Sequence, residues 1–434
     1  MSQLVKKTLL FTMLFSTSCF LYAQNSEYES NLTGDWNGHR TKLNNSGIEV
    51  IGNYMHEFGY NLNGGFNKDK KLEYANEILI GTDLDLDKIL SIPNANLKII
   101  LTNRNGNGND ITRTRLINPE GGQLTSAQEV WGRGSVTRLA ELSYRQKFID
   151  NSIDLRIGRF GFGEFGEFSC EFQNLLFCGN TSGSNTGSLI YNFPVSQWAA
   201  QVKYKLNDSV TVQTAIFEQN PSLQENDNAL RLNTKGSKGV ILPIEFIVGK
   251  LDQQGLFRFG GYYSTAKAED VYLDINNSPK ALTKVDSKEH NQRYGYWGMY
   301  QKNISYLFND PQRPLQLFTQ LHYNDKNASY INNSINLGVL GHGLFESRPN
   351  DIFGLAFGRI GVNSNYQKNI KLQNEVAQTT IPIQNYEAST ELFYGLNLNN
   401  GIILRPNIQY IKNPGGVKKT EDAVVLGLKI SARL

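Results

Sequence analysis

After residue 23 the chain has no apolar run long enough to cross a membrane as a helix, and its mean hydropathy is −0.40. Cysteine and methionine are scarce, with three and four copies in 434 residues. A β-barrel crosses a membrane with only alternate residues apolar, so this composition excludes helical spans without excluding a membrane protein. The 40 glycines and the 44 tyrosines and phenylalanines favour such a barrel over a helical core.

Charge of one sign is not in excess either. The formal net charge is +3, and it falls to +1 when a leader containing Lys6 and Lys7 is removed. Because nucleic acid binding requires a basic surface, no nucleic acid partner is expected. The five histidines show no metal-ligand spacing and no G-x-S-x-G motif occurs, so we expect no cofactor, no metal and no enzyme activity.

Residues 1–23 have the features of a secretory signal peptide. Two lysines form a basic start, an apolar stretch follows, and Ala23 offers a small residue for cleavage. The apolar stretch is short and is interrupted at Ser16–Ser18, which disfavours a membrane anchor. We therefore expect export through a Sec signal peptide, followed by an N-terminal periplasmic segment over residues 24–47 with a helix cap at Thr33.

The two cysteines beyond the leader lie eight positions apart, at Cys170 and Cys178. In an exported protein such a pair predicts a local disulfide, which would stabilise its loop by about 2–3 kcal/mol. Two free thiols are the alternative. Cys19 lies inside the leader, and Ser16 stands where a lipidation box usually has leucine, which disfavours a lipoprotein.

From Ile48 onward apolar and polar residues alternate with a period of two, which indicates strands. Short connections alternate with long ones, as in outer-membrane barrels with tight periplasmic turns and long extracellular loops. The predicted fold is therefore all-β, a transmembrane antiparallel β-barrel of about 16 strands over residues 48–434. The predicted strands are Ile48–Tyr60, Glu73–Asp87, Ala95–Asn103, Arg138–Phe148, Ile153–Arg159, Gln197–Leu206, Val210–Phe217, Val240–Lys250, Gly255–Thr265, Tyr294–Tyr306, Leu315–Asn324, Asn332–Leu344, Ile352–Asn363, Asn385–Leu398, Ile402–Lys412 and Ala423–Leu434.

Three aspartates at alternate positions, Asp83, Asp85 and Asp87, are interpreted as the polar face of the second strand. The same spacing occurs in calcium-binding loops, but those also require a glycine and a closing glutamate at fixed positions. Neither follows here, so we do not expect a calcium site.

A barrel of this size needs a loop in its lumen, because its side chains are too short to fill the interior. The apolar face of each strand must point to lipid, and the polar face must line a water-filled channel. The candidate loop lies in Leu155–Asn180, which reads LRIGRFGFGEFGEFSCEFQNLLFCGN. This segment is too apolar to extend into water and too rich in glycine to be a helix. We therefore expect it to fold into the barrel and form a constriction.

Segments throughout the N-terminal half, and the closing VVLGLKISARL, resemble one known family. The segments are Leu32–Leu43, Thr82–Leu90, Arg138–Phe148, Leu155–Phe165, Phe172–Asn180 and Tyr191–Leu223. At these residues the chain resembles the OprB-type carbohydrate-selective porins of Gram-negative bacteria. The resemblance implies a 16-stranded outer-membrane barrel that conducts monosaccharides such as glucose by passive diffusion, through a narrow constriction containing arginine. The departures are Leu434, where such barrels usually end in an aromatic residue, and Asn37 and His39, which interrupt a glycine-containing motif.

For a sugar channel the useful groups are carboxylates, which accept hydrogen bonds from hydroxyls, and arginines, which donate in a fixed geometry. Binding must also stay weak enough to allow release. We expect the pore constriction to contain Arg156, Arg159, Arg145, Glu141, Glu77, Glu164 and Glu167. Arg159 breaks the alternation of its strand, so it reaches the lumen only if the strand has ended or bulged there. The alternative is that each of these residues is a wall charge paired with an opposite charge.

Other functions fit parts of the pattern. A channel of the same fold for small organic acids, or a general diffusion porin, would use the same luminal arginines. An outer-membrane hydrolase would need a Ser–His or Asp–His arrangement, for which His56 and His322 are the strand histidines. The expected partners are small-molecule sugars and outer-membrane lipids. The resemblance favours a monomer, whereas many porins of this length are trimers, so both states remain open.

Overall fold

The computed structural model describes residues 28, 30–106, 110–130, 135–169, 171–178, 186, 189–191, 193–283, 285–398 and 401–434. The predicted signal peptide lies outside these residues. The strands within them are β1 Ile48–Gly65, β2 Leu72–Asp85, β3 Ala95–Gly106, β4 Val136–Phe148, β5 Ile153–Phe160, β6 Gln197–Asn207, β7 Val210–Gln219, β8 Gly239–Lys250, β9 Gly255–Ser264, β10 Ala268–Asp274, β11 Ser287–His290, β12 Arg293–Tyr306, β13 Pro314–Asn324, β14 Ile331–His342, β15 Ile352–Val362, β16 Tyr386–Leu398, β17 Ile402–Lys412 and β18 Glu421–Arg433.

All strands except β10 and β11 close into one antiparallel barrel of 16 strands, in which β1 pairs with β18. Each strand pairs with its neighbours along the chain, and β9 pairs with β12 because β10 and β11 form a separate two-stranded sheet. Every predicted strand corresponds to one strand of the barrel. The predicted fold class is therefore confirmed.

The two faces of the barrel differ in polarity as a membrane requires. On β2, the outward Ile80 is 54% exposed, whereas the inward Glu77 is 7% exposed. The register repeats this arrangement on the next strand, because Glu77 is opposite Arg104 and Ile80 is opposite Leu101. Apolar side chains therefore meet lipid, and the closed sheet satisfies the backbone hydrogen bonds that lipid cannot.

The helices are short: α1 His39–Asn45, α2 Leu86–Leu90 and α3 Ser364–Ala377. None of the described helices is long and apolar enough to span a membrane. A π-helical turn covers Thr112–Leu116, and 3-10 turns cover Trp36–Gly38, Pro221–Gln224, Asn226–Asn228, Leu307–Asn309 and Pro414–Gly416. Neither α3 nor the β10–β11 sheet was predicted, because the alternation pattern indicates only long loops at these two connections.

Two local predictions are wrong. The second strand ends at Asp85, whose carboxylate accepts from the N–H groups of Asp87 and Lys88 and so begins α2. Asp87 therefore lies in the first turn of a helix and not on the face of a strand, because capping ends the extended conformation. Thr33 is not a helix cap either, since α1 begins at His39.

The segment before β1 packs where the barrel closes. Arg40 of α1 is buried, and its Nη1 and Nη2 donate to the main-chain oxygens of Leu434 at 2.7 Å and Val50 at 2.9 Å. The Leu32 N–H donates to the Arg433 oxygen at 2.7 Å. One guanidinium therefore contacts both the first strand and the residue that follows the eighteenth.

Candidate pore constriction

The first described part of the connection from β5 to β6, residues 161–169 and 171–178, packs inside the barrel, as predicted. Its first aromatic residues, Phe162 and Phe165, are buried against Phe217 and Trp297 of the wall. Further along the connection, Phe172 packs edge to face on Phe393, with ring centroids 5.0 Å apart. Burial of these rings supplies the apolar contact that keeps a glycine-rich segment out of water.

Wall glycines provide the space for this part of the connection, which we call the luminal loop (residues 161–169 and 171–178). A Cβ atom at Gly354 would lie 3.0 Å from the Phe172 ring, and one at Gly358 would lie 2.7 Å from the Phe177 ring. Both glycines belong to β15. The inner surface of this strand is therefore flat where the loop packs against it.

Buried carboxylates of the wall hold the main chain of the luminal loop. Glu245 accepts from the Gly166 N–H at 2.5 Å, and Glu391 accepts from the N–H groups of Gln173 and Asn174 at 2.8 and 2.7 Å. Both glutamates are completely buried. Lys429 donates to the Phe172 oxygen at 3.0 Å. The alternation of the sequence marks these three wall residues only as charges at inward positions of their strands, which does not distinguish them from other luminal charges.

The charged face of the luminal loop carries three glutamates. Glu167 pairs with Arg258 at 3.0 Å, and Glu171 pairs with Arg405 at 2.7 Å. Glu164 pairs with several cations at once. The alternation pattern did not distinguish Arg258 and Arg405 from other strand charges, because their partners come from a distant loop.

The Glu164 cluster consists of Glu164, Arg145, Arg156, Lys203 and Glu141. Glu164 lies 2.9 Å from Arg156, 2.7 Å from Lys203 and 3.2 Å from Arg145. Arg156 also pairs with Glu141. Burial would raise the pKa of the Glu164 carboxyl, but the three surrounding cations outweigh that effect and lower the pKa to about 2. Four of the predicted residues therefore meet in one cluster, joined by Lys203.

The two arginines of this cluster are fixed by further contacts. Arg145 makes a bidentate pair with Asp154, with distances of 2.7 and 2.6 Å. The Arg156 guanidinium lies 4.1 Å from the centre of the Phe160 ring and 3.3 Å from the Ser143 hydroxyl. Such contacts preorganise the donors, so little entropy is lost when a solute binds.

Three predicted residues are not members of the cluster, namely Glu167, which pairs with Arg258, and also Glu77 and Arg159. Glu77 pairs with Arg104 at 2.5 Å on the wall between β2 and β3. Arg159 is 2% exposed and donates to the main-chain oxygens of Ser196 and Arg231. The strand distorts at Gly158, where φ is +141°, and Arg159 then anchors two connections. The expectation that Arg159 reaches the constriction is therefore corrected.

Only one of the two cysteines of the predicted disulfide lies among the described residues. Cys178 is in a disulfide, whereas its predicted partner Cys170 lies outside the described residues. The pairing of these two cysteines stays a prediction.

The strand histidines are placed in two different environments. His56 stacks on Phe58 and Tyr74, and His322 is buried with its Nδ1 3.1 Å from the Ser334 hydroxyl. Both partners of this Ser–His contact are less than 5% exposed. Within the described ranges, no group of three or more His, Cys, Asp or Glu side chains is arranged to hold a metal ion.

A closed barrel of 16 strands with an apolar exterior, a charged interior and an inserted loop defines an outer-membrane channel of the porin class. The chain belongs to the family described as carbohydrate-selective porin, OprB family, whose model matches residues 69–434. It is located in the outer membrane of a Gram-negative cell, and its fold and family are those of a channel and not of an enzyme. The predicted family is confirmed.

Relatives cover nearly the whole chain. Porin B of Pseudomonas aeruginosa is 39% identical over 421 residues, which are 94% of this chain and 92% of that protein. A putative porin, QuiX, of Acinetobacter baylyi is 32% identical over 417 residues, with 92% of each chain covered. The high-pH structure of Pseudomonas putida OprB superposes with a TM-score of 0.91 at 40% identity, covering 94% of this chain and 99% of that one.

Proposed function

We propose that this porin conducts glucose-like monosaccharides by passive diffusion, and that the Glu164 cluster forms its selective constriction. Arg145 and Arg156 would donate to sugar hydroxyls, and Glu141, Glu164 and Glu167 would accept from them. Parts of the set are open to solvent: the side chains of Arg145 and Glu167 are 36% and 58% exposed. Carbohydrate selectivity of the family supports this assignment.

One observation favours neutral sugars over acids, namely the charge balance of the lumen. Five luminal arginines each have a carboxylate oxygen within 3.2 Å: Arg104, Arg145, Arg156, Arg258 and Arg405. An organic anion would have to compete with these carboxylates for the same donors. A polyol instead uses the donors and acceptors together and does not change the charge. Binding of this kind is weak, which transport through a pore requires.

The test is single-channel conductance in a planar bilayer with glucose titrated into the bath. We expect a saturable block of the ion current, and we expect Arg156→Ala to weaken it about tenfold, because one charge-assisted donor is lost. Lys68→Ala is the control, since it also removes a cation but acts on a rim pair with Glu421. An ion current unaffected by glucose would overturn the proposal.

A second candidate function is a channel for small organic acids. The observation in its favour is that Arg145 and Lys203, two cations of the Glu164 cluster, keep 36% and 24% of their side chains exposed. Block by a dicarboxylate such as succinate, with no block by glucose, would select this function. Block by glucose alone would exclude it.

A further inference from the structure

A separate polar cavity of about 860 Å³ opens at the barrel end that carries the short connections. It lies among β1, β2, β17 and β18, and its lining includes Asn53, Met55, Glu77, Glu171, Arg405 and Ser431. We call it the Arg405 cavity. Among the described residues that line this cavity, none belongs to the Glu164 cluster.

The polar groups that line the Arg405 cavity are arranged around one fixed guanidinium. Arg405 Nη2 donates to Glu171 at 2.7 Å, and Nη1 donates to the Ser431 hydroxyl at 2.8 Å. The Arg405 side chain is 7% exposed, and its Nε has no hydrogen-bond partner among the described residues. Glu171 keeps 32% of its side chain exposed. The Arg405 guanidinium is therefore held in one orientation, and the Glu171 carboxylate beside it is accessible to a solute.

Apolar side chains line the cavity next to these polar groups, since Met55 and Ile403 are both opposite Ser431 in the strand register. Met55, Leu79 and Ile403 line it from the inward faces of β1, β2 and β17. A pyranose has the same two characters, because its ring presents C–H groups on its faces and hydroxyls around its edge. A cavity that combines apolar side chains with fixed donors and acceptors therefore matches a monosaccharide, and its volume accommodates one with water.

We propose that the Arg405 cavity is a second sugar-binding subsite, in series with the constriction and independent of the Glu164 cluster. This inference rests on the proposed function, because it takes the same class of solute. Arg405 donates to a sugar hydroxyl, Glu171 accepts from another, and Met55 contacts the ring face. Two weak sites in series let a solute enter easily and leave easily, which a single tight site prevents.

The test is protection of an introduced cysteine from a methanethiosulfonate reagent by glucose, using the full-length porin in detergent. Ser431→Cys and Asn53→Cys each place a thiol on the lining, and the second leaves the Arg405–Ser431 contact intact. At a glucose concentration twice the dissociation constant, labelling slows about threefold. Lys205→Cys is the control, since Lys205 pairs with Asp208 at a turn and is not part of the lining. Labelling of the unsubstituted protein gives the background.

The outcomes separate this inference from the proposed function. Protection at Ser431→Cys and Asn53→Cys but not at Lys205→Cys, retained with Arg156→Ala and lost with Arg405→Gln, supports the subsite. Protection that disappears with Arg156→Ala overturns its independence. Absence of protection while glucose still blocks the current overturns the subsite and leaves the proposed function standing. Absence of both protection and block overturns both.

Discussion

Glu245 and Glu391 are wall residues that determine where the luminal loop lies. Each is fully buried and accepts main-chain N–H groups of the loop, and Glu245 also accepts from the Trp297 indole at 2.7 Å. A buried carboxylate is costly without such partners, so its position and that of the loop depend on each other. A single inward glutamate on a strand thus contributes to the shape of the pore without contacting a solute.

Glu164 is expected to keep its charge at low pH. Its folded-state pKa of about 2 is below the ordinary value of 4.5, so its ion pairs contribute fully above about pH 4.5 and are lost as pH falls through about 2. We expect the glucose concentration that halves the current to be constant from about pH 7 to about pH 4 and to rise several-fold near pH 2. Planar-bilayer titrations at each pH measure this.

Glu164→Gln provides the matched control for that pH profile. It carries no charge at any pH, so we expect weak block by glucose already at neutral pH and little change on acidification. A wild-type block that weakens by pH 5 would contradict the role assigned to this carboxylate.

At the scale of elements, the contact between β15 and the luminal loop determines how close the loop lies to the wall. Gly358→Ala places a Cβ 2.7 Å from the Phe177 ring and 2.9 Å from Leu176, which displaces the loop at a cost of about 1–3 kcal/mol. Because the added methyl group pushes the loop away from the wall and into the lumen, we expect a smaller open-channel conductance and a changed block by glucose. Gly298→Ala is the control, because a Cβ there meets nothing within 4 Å. Equal conductance of Gly358→Ala and wild type would contradict this account.

The strands were predictable because each has one face toward lipid and one toward water, a difference that the sequence shows directly. The luminal loop was predictable for a related reason, since its phenylalanines require burial. Contacts between distant segments were not predictable from alternation. Arg405 and Glu171 are 234 positions apart, and Arg159 was assigned to the pore although two connections bury it. The capping of α2 by Asp85 was missed because the alternation of aspartates continues one turn into the helix.

At the scale of the whole molecule, closure joins segments that are far apart in the chain. The pairing of β1 with β18 runs from Asn53 opposite Arg433 to Gly65 opposite Glu421. Gly52 leaves space for Leu434, because a Cβ atom at Gly52 would lie 3.0 Å from the Leu434 Cβ. Pairings of such long range form late, because the entropy of closing the chain must be overcome first. Segment 24–47, which we propose to be periplasmic, contacts this junction through Arg40.

Arg40→Gln is expected to weaken the closed barrel. It removes charge-assisted donors to Val50 and Leu434 and so costs about 3 kcal/mol, which lowers the temperature at which the folded band is lost on an unheated-versus-heated gel. Conductance and block by glucose should stay unchanged. Lys42→Gln, on the exposed side of the same helix, is the control. An unaltered unfolding temperature for Arg40→Gln would show that the contact does not stabilise the barrel.

The contact of Arg40 with both ends of the barrel also has a consequence for the order of assembly. The two main-chain oxygens that accept from Arg40 belong to Val50 in β1 and to Leu434, which follows β18 and lies 394 positions from Arg40. The docking site for α1 therefore does not exist until β18 has joined β1. In a chain that stops folding as an open sheet, this helix stays undocked and accessible to proteases. Protection of the helix from proteolysis therefore reports that the barrel has closed.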